Sequence, residues 1–510
     1  MELIWSTVLT VWGWLLDHLL YINLAFSIII IFFQRRDPRS VWTWLLALYF
    51  IPVFGIVFYL LFGQDMKKSR MFRVKEVSDR LNLPVKSQED IIRSDDMPEE
   101  MMDPMSRDFK SLIIYNLETS GSVLTVNNQV QIYTDGQAKF EALRNALRQA
   151  RRFIHIQYYI IKNDELFDSI VPILLDKVRE GVEVRILCDG MGGRFMPKKR
   201  WDQMRRAGIK VGVFFPPFLG WLNLRVNYRN HRKIVVVDGA AGFVGGFNIG
   251  REYISRDPKF GYWRDTHLEI KGEAAISLQI RFALDWNYVT GENLFKEIRY
   301  FGEEAEYARR RLNGQIHAVW PDPDHVNEMV CMQIITSGPD TREPHIRNNY
   351  LELFHKAKHH IYIQTPYFIP DDAIFSSLKI AALSGVDVRL MIPCKPDHPF
   401  VYWATCSYAG ELLDYGARVY VYENGFLHSK GIMVDGRVSC YGTANMDIRS
   451  FELNFEVNAT IYDEDVTGQL EEAFMNDLPH CREITREEYA DRNLWMRIKE
   501  QSSRLLSPLL

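Results

Sequence analysis

The chain has 510 residues, 47% hydrophobic and 25% charged, with a formal net charge of −4. That length accommodates two or three domains around a large core. The slightly acidic balance excludes a protein whose main partner is a nucleic-acid backbone, since such partners require a basic surface.

Residues 1–62 are predicted to be a membrane anchor of two helices. From Leu3 to Phe33 the only ionisable side chains besides tyrosine are Asp17 and His18, and residues 41–62 carry no charge. The second run is long enough for a helix to cross the hydrocarbon core, and Pro52 is tolerable within it. Trp5, Trp12, Trp14, Trp42 and Trp44 suit a membrane interface. The acidic Glu2 and the length of the first run do not fit a cleaved signal peptide. Arg35, Arg36 and Arg39 lie between the helices, and Lys67, Lys68, Arg70, Arg73 and Lys75 follow them. The larger basic group places the catalytic body on the cytoplasmic side of the cell membrane.

Residues 63–110 read as a polar linker with some helix. From 111 onward, strand-like and helix-like stretches alternate. "RFIHIQYYII" (152–161) reads as a strand, 166–181 as a helix ending at Gly181, and "VEVRILCD" (182–189) as the next strand. The order returns with "HIYIQTPYFI" (360–369), a helix ending at Gly385, and "VDVRLMIP" (386–393). "QIYTDG" (131–136) likewise matches "QIITSG" (333–338). An α/β unit is therefore used twice, as mixed sheets flanked by helices in two pseudo-symmetric halves, 111–325 and 326–485. Residues 486–510 form a C-terminal amphipathic segment, expected either on the membrane surface or docked on the body.

The repeat carries a motif. "HRKIVVVD" (231–238) and "HSKGIMVD" (428–435) share His-x-Lys-x4-Asp. In a strand, His231 and Lys233 point to one side, as do His428 and Lys430. Asn248 and Asn445, in "GGFN" and "GTAN", each follow their histidine by 17 residues. Together the halves supply two imidazoles, two ammonium groups and two amides, a set that suits a phosphodiester. Lys233, Lys430, Asn248 and Asn445 are expected to hold the phosphoryl oxygens. One histidine attacks phosphorus and the other transfers protons, helped by a pKa near neutrality. A carboxylate must orient each imidazole. The candidates are Asp265, 34 residues after His231, and Glu456, 28 residues after His428. Asp238 and Asp435 complete the catalytic pattern but sit at turns after buried strands, where holding the motif in shape is their main expected work. No cofactor is expected, and no metal-ligand cluster is visible in the sequence. The six cysteines, Cys188, Cys331, Cys394, Cys406, Cys440 and Cys481, form no Cys-x-x-Cys pair and read as reduced thiols.

Those motifs, with the flanks "NYRNHRKIVVVD" and "GTANMDIRSFELNFEVNA", the two-helix start and the "SPLL" end, resemble the phospholipase D superfamily, and within it the bacterial cardiolipin synthases. The resemblance implies phosphatidyl transfer between two phosphatidylglycerol molecules, giving cardiolipin and glycerol through a phosphatidyl-histidine. It assigns His231 as nucleophile and His428 as acid/base. Phosphatidylglycerol, other anionic phospholipids and the bilayer are the implied partners. A membrane-anchored hydrolase and a non-enzymatic scaffold are the alternatives, and the intact His, Lys and Asn pairs speak against the latter. "VFFPPFLGWLNL" (213–224) reads as a loop dipping into the bilayer or as a buried loop. Lys198, Lys199, Arg200, Arg205 and Arg206 read as an attractor of anionic headgroups or as a solvated helix face.

Overall fold

The computed structural model describes most of residues 14–32 and 38–59, then 107–216, 227–301 and 330–507 with isolated exceptions. The linker beyond its last four residues, and loop residues 217–226, lie outside the described residues.

Helices α1 (Leu19–Phe32) and α2 (Pro38–Phe50) pack together. The Asn23 side-chain amide donates to the Leu48 carbonyl at 2.8 Å. Trp44, expected at an interface, is buried against Tyr59 with ring centroids 5.4 Å apart. Leu24, Ile28, Leu46 and Phe50 face outward. The single helix expected over 41–62 is interrupted by a bend at Ile51, after which the described residues 52, 53, 55, 56 and 59 are helical again. The cause is Pro52, whose ring disfavours helical geometry at the residue before it. Among the described residues no helix is long and apolar enough to cross a membrane, so the two predicted spans are not observed as such.

The next helix, α3 (Lys110–Ser120), and strand β1 (Leu124–Thr125) follow in sequence but belong to the far half. β1 pairs with a strand at 331–337, and the Asn116 side-chain amide donates to Gln333 and Asn349. The boundary expected at 111 is therefore not a sheet boundary.

The first half contains β2 (Asn128–Asp135), α4 (Gly136–Gln149), β3 (Phe153–Tyr158), α5 (Glu165–Arg179), β4 (Glu183–Asp189), α6 (Lys198–Arg206) and β5 (Lys210–Phe214). After β6 (Arg229–Asn230) come β7 (Ile234–Val237), β8 (Ala241–Gly245), β9 (Trp263–Gly272) and α7 (Glu273–Thr290). Strands β9-β8-β7-β3-β4-β5 lie side by side, with β2 on the other side of β9.

The second half repeats this order with β10 (Cys331–Ser337), α8 (His345–Lys356), β11 (His360–Gln364), β12 (Phe368–Ile369), α9 (Asp372–Leu383), β13 (Asp387–Pro393), α10 (Pro399–Leu413) and β14 (Arg418–Tyr422). It continues with β15 (Phe426–Leu427), β16 (Gly431–Val434), β17 (Val438–Gly442), β18 (Met446–Asp447), α11 (Ile448–Glu452), β19 (Asn454–Tyr462), α12 (Glu464–Asp477) and β20 (Cys481–Ile484). Its sheet runs β10-β19-β17-β16-β11-β13-β14-β20. Parallel and antiparallel neighbours mix in both sheets, as expected from alternating elements. The strand expected over 360–369 is broken at Thr365–Tyr367, where Pro366 lacks the N–H a ladder needs, and β12 pairs instead with β18.

Each half has its own apolar core, and a third joins them, with Val244, Leu268 and Phe282 packed among Met332, Met433 and Ile461. The two leading strands of the motifs cross over. β6 pairs with β19 of the second half, and β15 pairs with β9 of the first. Short helix α13 (Arg486–Ala490) and helix α14 (Leu494–Leu505) close the chain against α10. All six cysteines are unbridged.

The motif aspartates sit at the far ends of β7 and β16, away from the histidines. Asp238 accepts from the N–H groups of Arg151, Arg152 and Phe153 at 2.7, 2.7 and 2.9 Å. Asp435 does the same for Lys358, His359 and His360 at 2.7, 2.8 and 2.8 Å. Both have φ of 56°, which Asp tolerates better than most residues. They bind the turn to the start of the neighbouring strand. Replacing either with Ala strands three N–H groups and is expected to lower stability by about 1–3 kcal/mol. A fall in the thermal unfolding midpoint, partly recovered by Asn, is the measurement.

Candidate active site

The crossed strands set the site. Asn230 lies opposite Phe455, and the His231 N–H donates to the Phe455 carbonyl at 2.9 Å. The next residue on β19 is Glu456. His231 Nδ1 therefore meets both Glu456 oxygens, at 2.9 and 3.0 Å. In the other half, Leu427 lies opposite Arg264, and the His428 N–H donates to the Arg264 carbonyl at 2.7 Å. His428 Nδ1 then meets Asp265 Oδ2 at 2.6 Å. Each histidine thus takes its carboxylate from the opposite half. Sequence order, which set Asp265 downstream of His231 and Glu456 downstream of His428, hides this exchange.

A carboxylate has no proton to give, so Nδ1–H is the donor in both contacts, leaving each Nε2 with a lone pair. The Lys430 ammonium, 2.9 Å from His428 Nδ1, donates to the His428 carbonyl at 2.5 Å. The Lys233 ammonium donates to the His231 carbonyl at 2.7 Å. Each lysine therefore folds back over its own motif, although residues 231–233 and 428–430 lie just outside the strands.

The carboxylates are themselves held. Asp265 accepts from the Thr266 N–H at 2.8 Å and the Trp263 indole at 3.4 Å. Glu456 accepts from the Thr443 hydroxyl at 2.6 Å and the Asn454 amide at 3.2 Å. The "GG" and "GT" of the two halves follow from this. A Cβ on Gly246 would stand 1.9 Å from Asp265 Oδ1. At the matching position in the second half, Thr443 supplies a hydroxyl to the longer Glu456.

Burial dominates the electrostatics. It lowers the pKa of His231, and Glu456 only partly opposes it. Burial and then the Lys430 charge push His428 down to about 4, well below the neutrality expected from sequence. Burial lowers Lys233 and brings Lys430 down to about 8. Asp265 is raised by burial, but Lys430 and His428 outweigh this and hold it below its usual value. The charges of both lysines and both carboxylates reach one another across the halves.

The amides differ. Asn248 is committed on both sides, accepting from the Ile160 N–H at 3.1 Å and donating to the Tyr253 hydroxyl at 3.0 Å. Asn445 is buried, and its Oδ1 has no hydrogen-bond partner. Sequence reasoning passed over the aromatic walls. The Tyr159 ring lies 5.0 Å from His231, and the Trp263 ring 5.0 Å from His428. It also passed over Arg232, next to His231, and Arg264, next to Asp265. Arg232 forms a forked pair with Asp285 at 2.7 and 2.9 Å, and Arg264 one with Asp477 at 2.9 and 3.0 Å. Their only trace in the sequence was an unspecific one, a basic residue next to His231 and next to Asp265. Of the expected lipid-facing loop, Phe214 and Phe215 are buried beside Phe455, and 217–226 lie outside the described residues. In the basic helix α6, Arg200 pairs with Asp168 and Arg205 with Asp202.

Two buried His–carboxylate pairs with facing lysines, built from two copies of one α/β unit, define a two-halved phosphoryl-transfer enzyme of the phospholipase D type. The family described as "Cardiolipin synthase, PLD-like domain" matches residues 143–266 and 350–478. "Phospholipase_D-nuclease N-terminal" matches 22–64. The chain is 47% identical to cardiolipin synthase 2 of Staphylococcus epidermidis over 491 residues, covering 96% of both. It is 45% identical to the major cardiolipin synthase ClsA of Bacillus subtilis, covering 97% of this chain and 99% of that one. It therefore belongs to the cardiolipin synthase family of the phospholipase D superfamily. The phosphatidylserine synthase of Haemophilus influenzae shares the fold, with a TM-score of 0.57 at 15% identity, covering 80% of this chain and 98% of that one.

Asp265→Asn and Glu456→Gln keep shape but remove the charge that fixes the imidazole tautomer. Each is expected to cut turnover by roughly 10²–10⁴-fold with little change in unfolding temperature. Gly246→Ala should act through the same group, displacing Asp265 and lowering turnover by about 10²-fold or more. Wild-type rates in these variants, measured beside their thermal melts, would remove the carboxylates from the chemistry.

Proposed function

We propose that this protein is a phosphatidyltransferase that makes cardiolipin and glycerol from two molecules of phosphatidylglycerol. The near full-length identity of 45–47% to cardiolipin synthases carries this reading, and the paired site gives it a mechanism. His231 Nε2 attacks the phosphorus of the first phosphatidylglycerol. The P–O bond to the glycerol headgroup breaks, and His428 gives that oxygen a proton. The phosphatidyl group is now on His231. A second phosphatidylglycerol brings its terminal hydroxyl, His428 takes the proton, and the oxygen attacks phosphorus. The P–N bond breaks, cardiolipin leaves and both histidines return to their starting state. Lys233 and Lys430 neutralise the phosphoryl oxygens, and Asn445 offers its amide from the second half.

His428 is neutral in the empty cleft, with its pKa near 4. The phosphodiester's negative charge stabilises the imidazolium and so readies the acid only when substrate is bound. The N-terminal helices are read as the membrane anchor, because they turn apolar side chains outward and a polar amide inward. The body is read as cytoplasmic from the basic residues after the second helix.

Purified protein in detergent, given phosphatidylglycerol alone, should yield cardiolipin and glycerol in equal amounts. Phosphatidic acid as the main product would make it a hydrolase. His231→Ala and His428→Ala should each lower synthesis by about 10³-fold or more. Only His428→Ala should still accept label from phosphatidylglycerol onto protein, and the reverse pattern would exchange the two roles. The Lys430 charge is lost as pH rises through about 8. The rate should therefore fall on that alkaline limb, and Lys430→Arg should move the limb to higher pH.

A further inference from the structure

Helix α14 wears its amphipathic character inside out. Docked on α10, it buries Glu500 and Ser503, 1% and 2% exposed, and turns Leu494, Trp495 and Leu505 outward at 73%, 65% and 79%. The inner face is held by polar contacts. Glu500 meets Arg492 at 3.4 Å, and Arg504 meets Glu411 of α10 at 2.5 Å while lying over the Tyr408 ring. A helix that only covered the body would present the opposite face to water.

The outward face has a charge and a neighbour. Glu500, the sole acidic residue between 494 and 505, is buried, whereas Arg497 is exposed and Lys499 half-buried at the edge of the apolar face. The Lys499 ammonium lies 5.0 Å from the Trp403 ring and 6.0 Å from that of Trp495. One turn before Trp403, Phe400 is 58% exposed. The patch thus runs along α10 towards its first residue. There the Tyr367 hydroxyl donates to Asp397, and the His398 ring packs on Tyr367. Asp397 is near enough to act on Lys430 electrostatically. The apolar strip ends at the rim of the active site.

We propose that α14 and the first turn of α10 form the surface by which the catalytic body docks on an anionic phospholipid bilayer. The aromatic-beside-lysine pairing and the absence of outward acid suit headgroup depth. Continuity with the rim brings a bilayer lipid to the histidines without leaving the membrane, a point that rests on the lipid-transfer reading above. The surface is distinct from the N-terminal helices and fixes the tilt of the body.

The test uses the full-length protein reconstituted in phosphatidylglycerol–phosphatidylcholine vesicles, with plain or acyl-brominated lipid. Bromine quenches a tryptophan only by near contact. The emission of Trp495 is the difference between wild type and Trp495→Phe. It is expected to fall about twofold in brominated vesicles, as for an indole seated at the acyl boundary. In Leu494→Ser/Ile498→Ser the same difference should lose most of its quenching. Unquenched Trp495 emission overturns the proposal, including the case where a second copy or the N-terminal segment covers the face. The readout needs no turnover. An inactive protein with quenched Trp495 sinks the transferase reading alone, and an active one with unquenched Trp495 sinks only the docking surface.

Discussion

Everything chemical in this molecule depends on the exchange of two short strands, β6 and β15, between its sheets. Each is two residues long, yet each fixes in register the histidine that follows it. Parallel pairing of Asn230 with Phe455 and of Leu427 with Arg264 leaves no freedom for which carboxylate an imidazole meets. The exchange also explains the buried arginines. Arg232 reaches Asp285 in its own half and the Ser337 and Glu456 carbonyls in the other. Arg264 reaches across to Asp477. Buried ion pairs are costly to break, so the Arg264–Asp477 fork, with the Arg232 contacts to Ser337 and Glu456, locks the halves in the alignment that the histidines need.

The two half-sites match in plan and differ in detail. The first has an aspartate set against a glycine and an asparagine already satisfied by Ile160 and Tyr253. The second has a glutamate held by Thr443 and an asparagine whose oxygen is unpartnered. His428 has the shorter carboxylate contact, and the lysine charge close beside it disfavours its protonation. These differences give the two histidines unequal basicity, which a reaction with one nucleophile and one proton carrier requires.

Much of the plan was legible in the sequence, for physical reasons. A repeated His-x-Lys at the head of a buried apolar run must put two polar side chains at a strand end, and a repeated α/β order must build two mixed sheets. Asp265 and Glu456 were identifiable as carboxylates, because an imidazole base needs one. Their partners were not, because strand exchange is a long-range pairing that leaves no local signal. The aspartates of the motif read as turn residues that hold its shape, but their N–H partners, 75 to 87 residues away in sequence, were not legible. Pro366 breaks a strand, and Pro52 bends a helix, that apolar composition had drawn as continuous. The reversed face of α14 was invisible too, since periodicity identifies two faces without saying which one the body takes.

The Gly246–Asp265 and Thr443–Glu456 pairs have an evolutionary meaning. In a symmetric dimer of half-molecules every substitution appears twice, so attacking and proton-carrying sides would have to share identical surroundings. A glycine that makes room for a short acid on one side would be forced on the other as well. Joining both copies in one chain lifts that tie. Each side can then be tuned for its own step while still borrowing its acid from the other.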